Sequence, residues 1–520
     1  MLRSTIEASI KGALGLLGVS EAANYKVEVP PRKELGDYAS NVAIVNAKTL
    51  KKAPLQIAKE LVAEIEKLDQ GKHFAKIEIV PPGFINFFLT DQTIEARLKE
   101  IVALDLAWGK SRHYQGRSIL MEYVSANPTG PLHVGHGRWA VVGDCIARLF
   151  AAVGYKVEKE FYVNNVGNQV EKLYASVIAS RTGQPVPENG YGGAYVKEIK
   201  GETIGEMLAF NLDEQKRVLS SVRVEFDRFF FENELHDQNL VLGAVEQLKR
   251  NHQTFEEGGA IWFKSQEHGD DKNRVLVRED GKPTYFAADV AYHLNKFNRG
   301  YDLMIDIWGT DHHGYVQRLK AALKALGLPA EKLEIIIGQL VALFRGDEQV
   351  RMSKRTGEMI TLQEVVEETG ADATRFFFAA TDVNSHLDFD LELAKKRSSD
   401  NPVFYLQYGH ARICGITRKG HGIRETGNGT EVKISELSTS AERQLIMKLI
   451  RWPEVVFDAA QLRHPHRICE YGKELATQFH SFYEQCKVLG NPSREYLADA
   501  TRITLRNVLE LLGITAPETM

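Results

Sequence analysis

Residues 118–155, SILMEYVSANPTGPLHVGHGRWAVVGDCIARLFAAVGY, decide the fold. The apolar run 119–124 predicts a strand, and residues 125–132, with Asn127-Pro128-Thr129-Gly130, predict a tight polar turn. From His133 onward, Ala140, Val141, Val142, Ile146 and Leu149 recur with helical spacing up to the breaker Gly154. Residues 156–163 predict a second strand, parallel to the first. Such a βαβ unit binds ligands beyond the carboxyl ends of its strands.

His133 and His136 stand three residues apart at the predicted helix start, so they share one face. Free backbone N–H groups and the positive dipole end attract phosphate there. Gly135 and Gly137 remove side chains that would block a close ligand. The pair suits a nucleotide triphosphate, although a short His-x-x-His also serves simply to start a buried helix. A zinc site is disfavoured, because no further His or carboxylate follows at ligand spacing.

A second stretch, Arg351-Met352-Ser353-Lys354-Arg355, falls between the apolar run 333–344 and a helix-like segment at 362–368. Alone, a basic loop is usually solvated surface. Together with Pro131-Leu132-His133-Val134-Gly135-His136, it resembles the HIGH and KMSKS signatures of class I aminoacyl-tRNA synthetases. Residues 125–130, 162–169, Asp311-His312-His313-Gly314-Tyr315 and Leu511-Leu512-Gly513-Ile514 are similar to the arginyl-tRNA synthetase family within that class. The resemblance covers nearly the whole chain.

Length and composition bound this reading. The chain has 520 residues, enough for three or four domains at about 150 residues each. Its hydrophobic content of 43% is that of an ordinary globular protein. No apolar run approaches the roughly 20 residues of a membrane span, and the N-terminus lacks a signal-like apolar core. A cytoplasmic protein is the expectation. Cys145, Cys414, Cys469 and Cys486 form no C-x-x-C pair, which argues against a zinc knuckle or a disulfide framework. The net charge of −4 does not mark a nucleic-acid binder, but the field that matters is local.

In chain order, residues 1–90 predict a small α+β domain. Residues 91–400 predict an α/β, Rossmann-type parallel-sheet catalytic domain with an insertion at about 166–300. Residues 401–520 predict an all-helical domain. Within the insertion, helices are expected at 170–181, 214–230 and 240–250, with strands near 260–263 and 275–277. The insertion is too short for an editing domain.

The resemblance implies an ATP-dependent arginine-tRNA ligase acting as a monomer. ATP with Mg²⁺, L-arginine and tRNA(Arg) would be its substrates, with no zinc. Arginine would attack the α-phosphate of ATP, and the tRNA 3′-terminal ribose hydroxyl would then take the arginyl group. Neither step needs a protein nucleophile; both need positioned charge. His133, His136 and Lys354 would serve the triphosphate. Gly135, Gly309, Asp311, Met352 and Ser353 would complete the ATP site. Many family members lack the second-signature lysine and carry one just before the first signature; here that position is Gly130 and Lys354 is intact.

A guanidinium is always charged and forks its donors, so its selection needs carboxylates. Glu122 ends the first strand. Asp289 follows Tyr285 by four residues at an expected helix start, where it could equally be an N-cap. With Ser125, Asn127 and His313, these are the arginine-site candidates. For tRNA, the N-terminal domain would read a D-loop base through Phe84 and Asn86. The helical domain would meet the anticodon near Tyr483 and Met520. Other class I synthetases, a small-molecule nucleotidylyltransferase and a non-catalytic tRNA-binding paralogue remain the alternatives.

Overall fold

The computed structural model describes residues 1–19, 23–310, 314–350, 360–419 and 432–520. At its centre lies a five-stranded sheet ordered Leu333–Gly338, Leu303–Gly309, Ser118–Glu122, Lys156–Val163, Arg228–Phe231. Every pairing is parallel, with Met121 opposite Ile305 on one side and Lys159 on the other. Parallel strands are covered on both faces, which is why the central one is a nearly unbroken apolar run. Ile119, Leu120 and Met121 are fully buried.

The helix Val134–Ala152 leaves the central strand and leads to Lys156–Val163 on one side. The chain later returns to Leu303–Gly309 on the other side. The connections thus diverge between Ser118–Glu122 and Leu303–Gly309, the place where open α/β sheets hold ligands. The helix sits close to the sheet because Gly143 has no side chain: a Cβ there would meet the Tyr123 ring at 2.5 Å.

The region expected as an insertion is partly sheet. The predicted 214–230 helix is instead Ile204–Ser221, followed by the strand Arg228–Phe231. Arg223 adopts a left-handed φ of 58° and ends the helix. Pairing of Phe229 to Phe161 and Phe230 to Tyr162 then decides the strand. A separate antiparallel sheet of Thr254–Glu257, Ala260–Phe263 and Arg274–Val277 adds one strand to the predicted two.

The N-terminal unit carries a four-stranded antiparallel sheet against the helices Leu2–Leu16 and Pro54–Asp69. It rests on the C-terminal helices: the Tyr38 hydroxyl donates to buried Glu454 at 3.0 Å, and Arg451 donates to the Asp37 carbonyl at 2.6 Å. Those helices are Pro402–Lys419, Ser440–Ile450, Trp452–Leu462, His466–Gln485 and Pro492–Leu511. Buried Arg375 ties them to the sheet unit. Its guanidinium donates to the Leu512 carbonyl (2.7 Å), the Val222 carbonyl (2.6 Å) and Asp144 (2.6 Å) on the Val134–Ala152 helix.

Candidate active site

A cavity of about 930 Å³ opens at the carboxyl ends of the parallel strands, over the crevice where the connections diverge. Glu122, Ser125, Asn127, His133, Gly135, His136, Asp289 and Gly309 all line it. Sequence candidates 160 or more positions apart therefore share one cavity.

The turn after the central strand is sharp and braced. Val124 and Ser125 have φ of 70° and 39°, a region non-glycine residues rarely enter. Ser125 supports it by donating to Glu122 at 2.8 Å and accepting from the Tyr162 backbone at 3.1 Å. The carbonyls of the turn are met by side chains from the 166–300 region. Gln215 donates to the Asn127 and Gly130 carbonyls (3.0 and 2.8 Å), Asn211 to Pro128 (3.0 Å), and Tyr195 to Thr129 (3.2 Å). That region is thus the brace of the turn. The Asn127 amide itself donates to Gln169.

His133 is the N-cap of the Val134–Ala152 helix and His136 occupies its third position, a reciprocal capping box. His133 Nδ1 accepts from the backbone of Gly135 (3.1 Å) and His136 (3.4 Å), and His136 Nδ1 accepts from His133 (3.3 Å). The two readings of this pair, helix start and phosphate site, are therefore compatible. With both Nδ1 atoms accepting, each neutral ring carries its proton on Nε2. The rings stack with centroids 3.6 Å apart, which sets two ring N–H donors side by side in the cavity wall at the helix start.

Asp311, His313, Met352, Ser353 and Lys354 lie outside the described residues. Both sides of the second signature are anchored. The Val350 backbone donates to Leu343 at 2.8 Å before it. After it, Thr361 pairs with His133, and the Leu362 backbone donates to the Leu132 carbonyl at 2.8 Å.

Asp289 does not start its helix. Tyr285–Asn298 begins after Thr284, whose hydroxyl accepts from Ala287 as the N-cap. Asp289 sits a turn further in and accepts from the Tyr315 hydroxyl at 2.6 Å. Tyr285, 58% exposed, lies against Gly167 and is not part of the cavity wall. Asp289, Tyr292, His293 and Lys296, spaced i, i+3, i+4 and i+7, form the stripe that faces the strand ends.

Lys296 is the residue that sequence reasoning missed. It is fully buried and holds both Glu122 and Asp306, the latter at 2.8 Å. Burial alone would lower its pKa, but Asp306, Glu122 and Glu160 outweigh that and hold it above its ordinary value. His293 adds a 2.9 Å contact to Asp306. Glu122 is therefore already ion-paired at the cavity floor. The signal for Lys296 was its position on the apolar stripe of a helix, where a lone lysine demands a buried partner.

At the cavity side, Tyr162 packs near Glu232, whose carboxyl is raised to about 7 by burial, with Asp289 adding to the rise. Of the tRNA candidates, Phe84 is 39% exposed at its strand start, whereas Asn86 is buried in the sheet. Tyr483 is half-buried with the Arg412 guanidinium over its ring at 4.5 Å, and Met520 is exposed. The four cysteines are free, buried thiols.

Three family descriptions match the chain. They are the arginyl tRNA synthetase N terminal domain (residues 2–89), the tRNA synthetases class I (R) catalytic domain (98–185 and 196–385), and the DALR anticodon binding domain (406–520). Fold and matched domains together define a class I aminoacyl-tRNA synthetase. An arginine–tRNA ligase of Moorella thermoacetica is 43% identical over 99% of this chain and 97% of its own. One from Shouchella clausii is 42% identical over 96% and 95%. The chain belongs to the arginyl-tRNA synthetase family. The Thermus thermophilus arginyl-tRNA synthetase structure superposes with a TM-score of 0.81 at 24% identity, covering both chains in full. At that identity the likeness is one of fold.

Proposed function

We propose that the protein is an arginine-tRNA ligase. It joins L-arginine to ATP as arginyl-adenylate, releasing pyrophosphate, and then esterifies arginine to the 3′-terminal ribose of tRNA(Arg), releasing AMP. The observation that carries this reading is the pair of Nε2–H donors held by a capping box at a helix N-terminus in the wall of the cavity. As the arginine carboxylate attacks the α-phosphate, charge grows on its oxygens. Donors whose orientation is fixed beforehand stabilise that charge without reorganising.

ATP enters as its Mg²⁺ complex, the metal being part of the substrate, and Lys354 supplies a further cation to the leaving pyrophosphate. Gly309 lets the strand end approach the adenosine, with Asp311, Met352, Ser353 and Gly135 completing the ATP site. Asp289 receives the guanidinium with Glu122 and His313 around it, and Ser125 and Asn127 orient the amino acid. Residues 1–90 meet the tRNA elbow, with Phe84 as the exposed aromatic. Residues 401–520 meet the anticodon near Tyr483 and Met520. The enzyme works as a cytoplasmic monomer.

The test is ATP–pyrophosphate exchange with each amino acid, with and without its matching tRNA. Exchange with arginine alone among the amino acids is the expected result. No exchange with any amino acid, in folded protein, would point to a tRNA-binding paralogue. Lys354→Ala should lower kcat for adenylate formation about 100-fold, as for one lost transition-state donor; an unchanged rate would leave the second signature as surface.

A further inference from the structure

Asp382, His464 and His466 converge where the helical domain meets the sheet unit. Their ligand-type atoms all lie within 4.8 Å of one another. His464 Nε2 is 3.6 Å from Asp382 Oδ2, and His466 Nδ1 is 3.9 Å from the same oxygen. Both distances are too long for hydrogen bonds. They approach the ~3.4 Å edge that ligand atoms share around a tetrahedral ion with bonds of about 2.0–2.1 Å. His466 Nδ1 is also buried and has no hydrogen-bond partner, a costly state for a polar atom.

The three side chains are held in place. Arg463 ends the Trp452–Leu462 helix with a left-handed φ of 57°, and the His464 backbone donates to Ala459 at 2.9 Å. Pro465 then sets His466 at the start of the next helix. Asp382 Oδ1 accepts from the Asn384 backbone and amide at 2.8 and 3.0 Å, which leaves Oδ2 toward the histidines. The Asp382 carbonyl accepts at 2.9 Å from Arg138 of the Val134–Ala152 helix.

We infer that Asp382, His464 and His466 bind a divalent transition-metal ion of the zinc type, clamping the helical domain to the loop that holds Arg138. Two imidazoles and one carboxylate are a borderline donor set that selects such an ion over Mg²⁺ or Ca²⁺. Solvent takes the fourth position, since the cluster is only partly buried. This inference is independent of the ligase reading.

The experiment uses the full-length protein, stripped with chelator and titrated with Co²⁺. The expected result is one Co²⁺ per chain with the intense visible absorption of a tetrahedral site, displaced by Zn²⁺. His464→Ala, His466→Ala and Asp382→Asn should each weaken binding at least tenfold, as metal-site lesions do, while His252→Ala, at an exposed histidine outside the cluster, should not. Zn²⁺ should raise the Tm of the wild type and leave that of the His464→Ala/His466→Ala protein unchanged. Failure of the wild type to bind one ion would overturn the proposal, as would binding that survives the double substitution. Asp382→Asn keeps the test open if the histidine variants fold poorly.

Discussion

The floor and the side wall of the cavity each present carboxylates, and they are held in opposite ways. On the floor, Glu122 and Asp306 share the buried ammonium of Lys296, and Glu160 beneath is gripped by Arg299 and the Tyr292 hydroxyl. On the side wall, Asp289 accepts from a tyrosine hydroxyl, and buried Glu232 lies behind the lining residue Tyr162. A carboxylate paired to an internal cation has its charge balanced and acts as structure. Asp289 also lines the cavity, where a carboxylate is placed to meet a cationic guest. Under the proposed function, this difference gives the selection of arginine chiefly to Asp289 and the fixing of the strand ends to Glu122.

The sharpest way to break this comparison is Lys296→Met. Two buried carboxylates would lose their counter-charge, at about 3–5 kcal/mol. Thermal unfolding of the full chain should show a fall in Tm of several degrees; an unchanged Tm would mean that charge does not hold the floor. Next in size, Asp289→Asn should raise the arginine KM about 100-fold, or ~3 kcal/mol, and leave the ATP KM alone. Equal rises in both constants would remove Asp289 from side-chain selection. Glu122→Gln keeps the shape and should raise the arginine KM about tenfold or less. If it outranked Asp289→Asn in steady-state kinetics, floor and wall would have to exchange roles.

The smallest effect concerns pH. Glu232 is raised from 4.5 to about 7, so the folded protein binds a proton there that the unfolded chain releases. Its contribution to stability is fully present below the unfolded value and fades as pH rises through about 7. Guest binding runs the other way, since an ionised Glu232 beside Asp289 favours a cation. The arginine KM should fall a few-fold between about pH 6 and 8, and Glu232→Gln should flatten that profile. A profile unaltered by the substitution would exclude Glu232.

Much of this was legible where local pattern and tertiary fate agree. The apolar run 119–124 predicts a strand, which the sheet holds as far as Glu122, and the histidine pair predicted at a helix start caps Val134–Ala152. What failed to show depended on distant partners. Arg228–Phe231 reads as the tail of a helix until its pairing with 160–163 is known. Thr203 and Glu206 spelled the capping box of the preceding helix and went unread. The partners of Lys296 are not legible locally because they lie 174 and 10 positions away. Asn86 looked like a base reader because alternation places it on the face of Phe84, but the neighbouring strands cover it.

The clasp of Arg375 also imposes an order on biosynthesis. Its Asp144 and Val222 acceptors precede it in the chain, but the Leu512 carbonyl follows 137 residues later. At about 5–20 residues per second that is an interval on the order of ten seconds. Throughout it, the nascent catalytic unit has a guanidinium destined for burial with one acceptor still unmade. The seam around Cys145 therefore closes only after Leu512 has joined the chain.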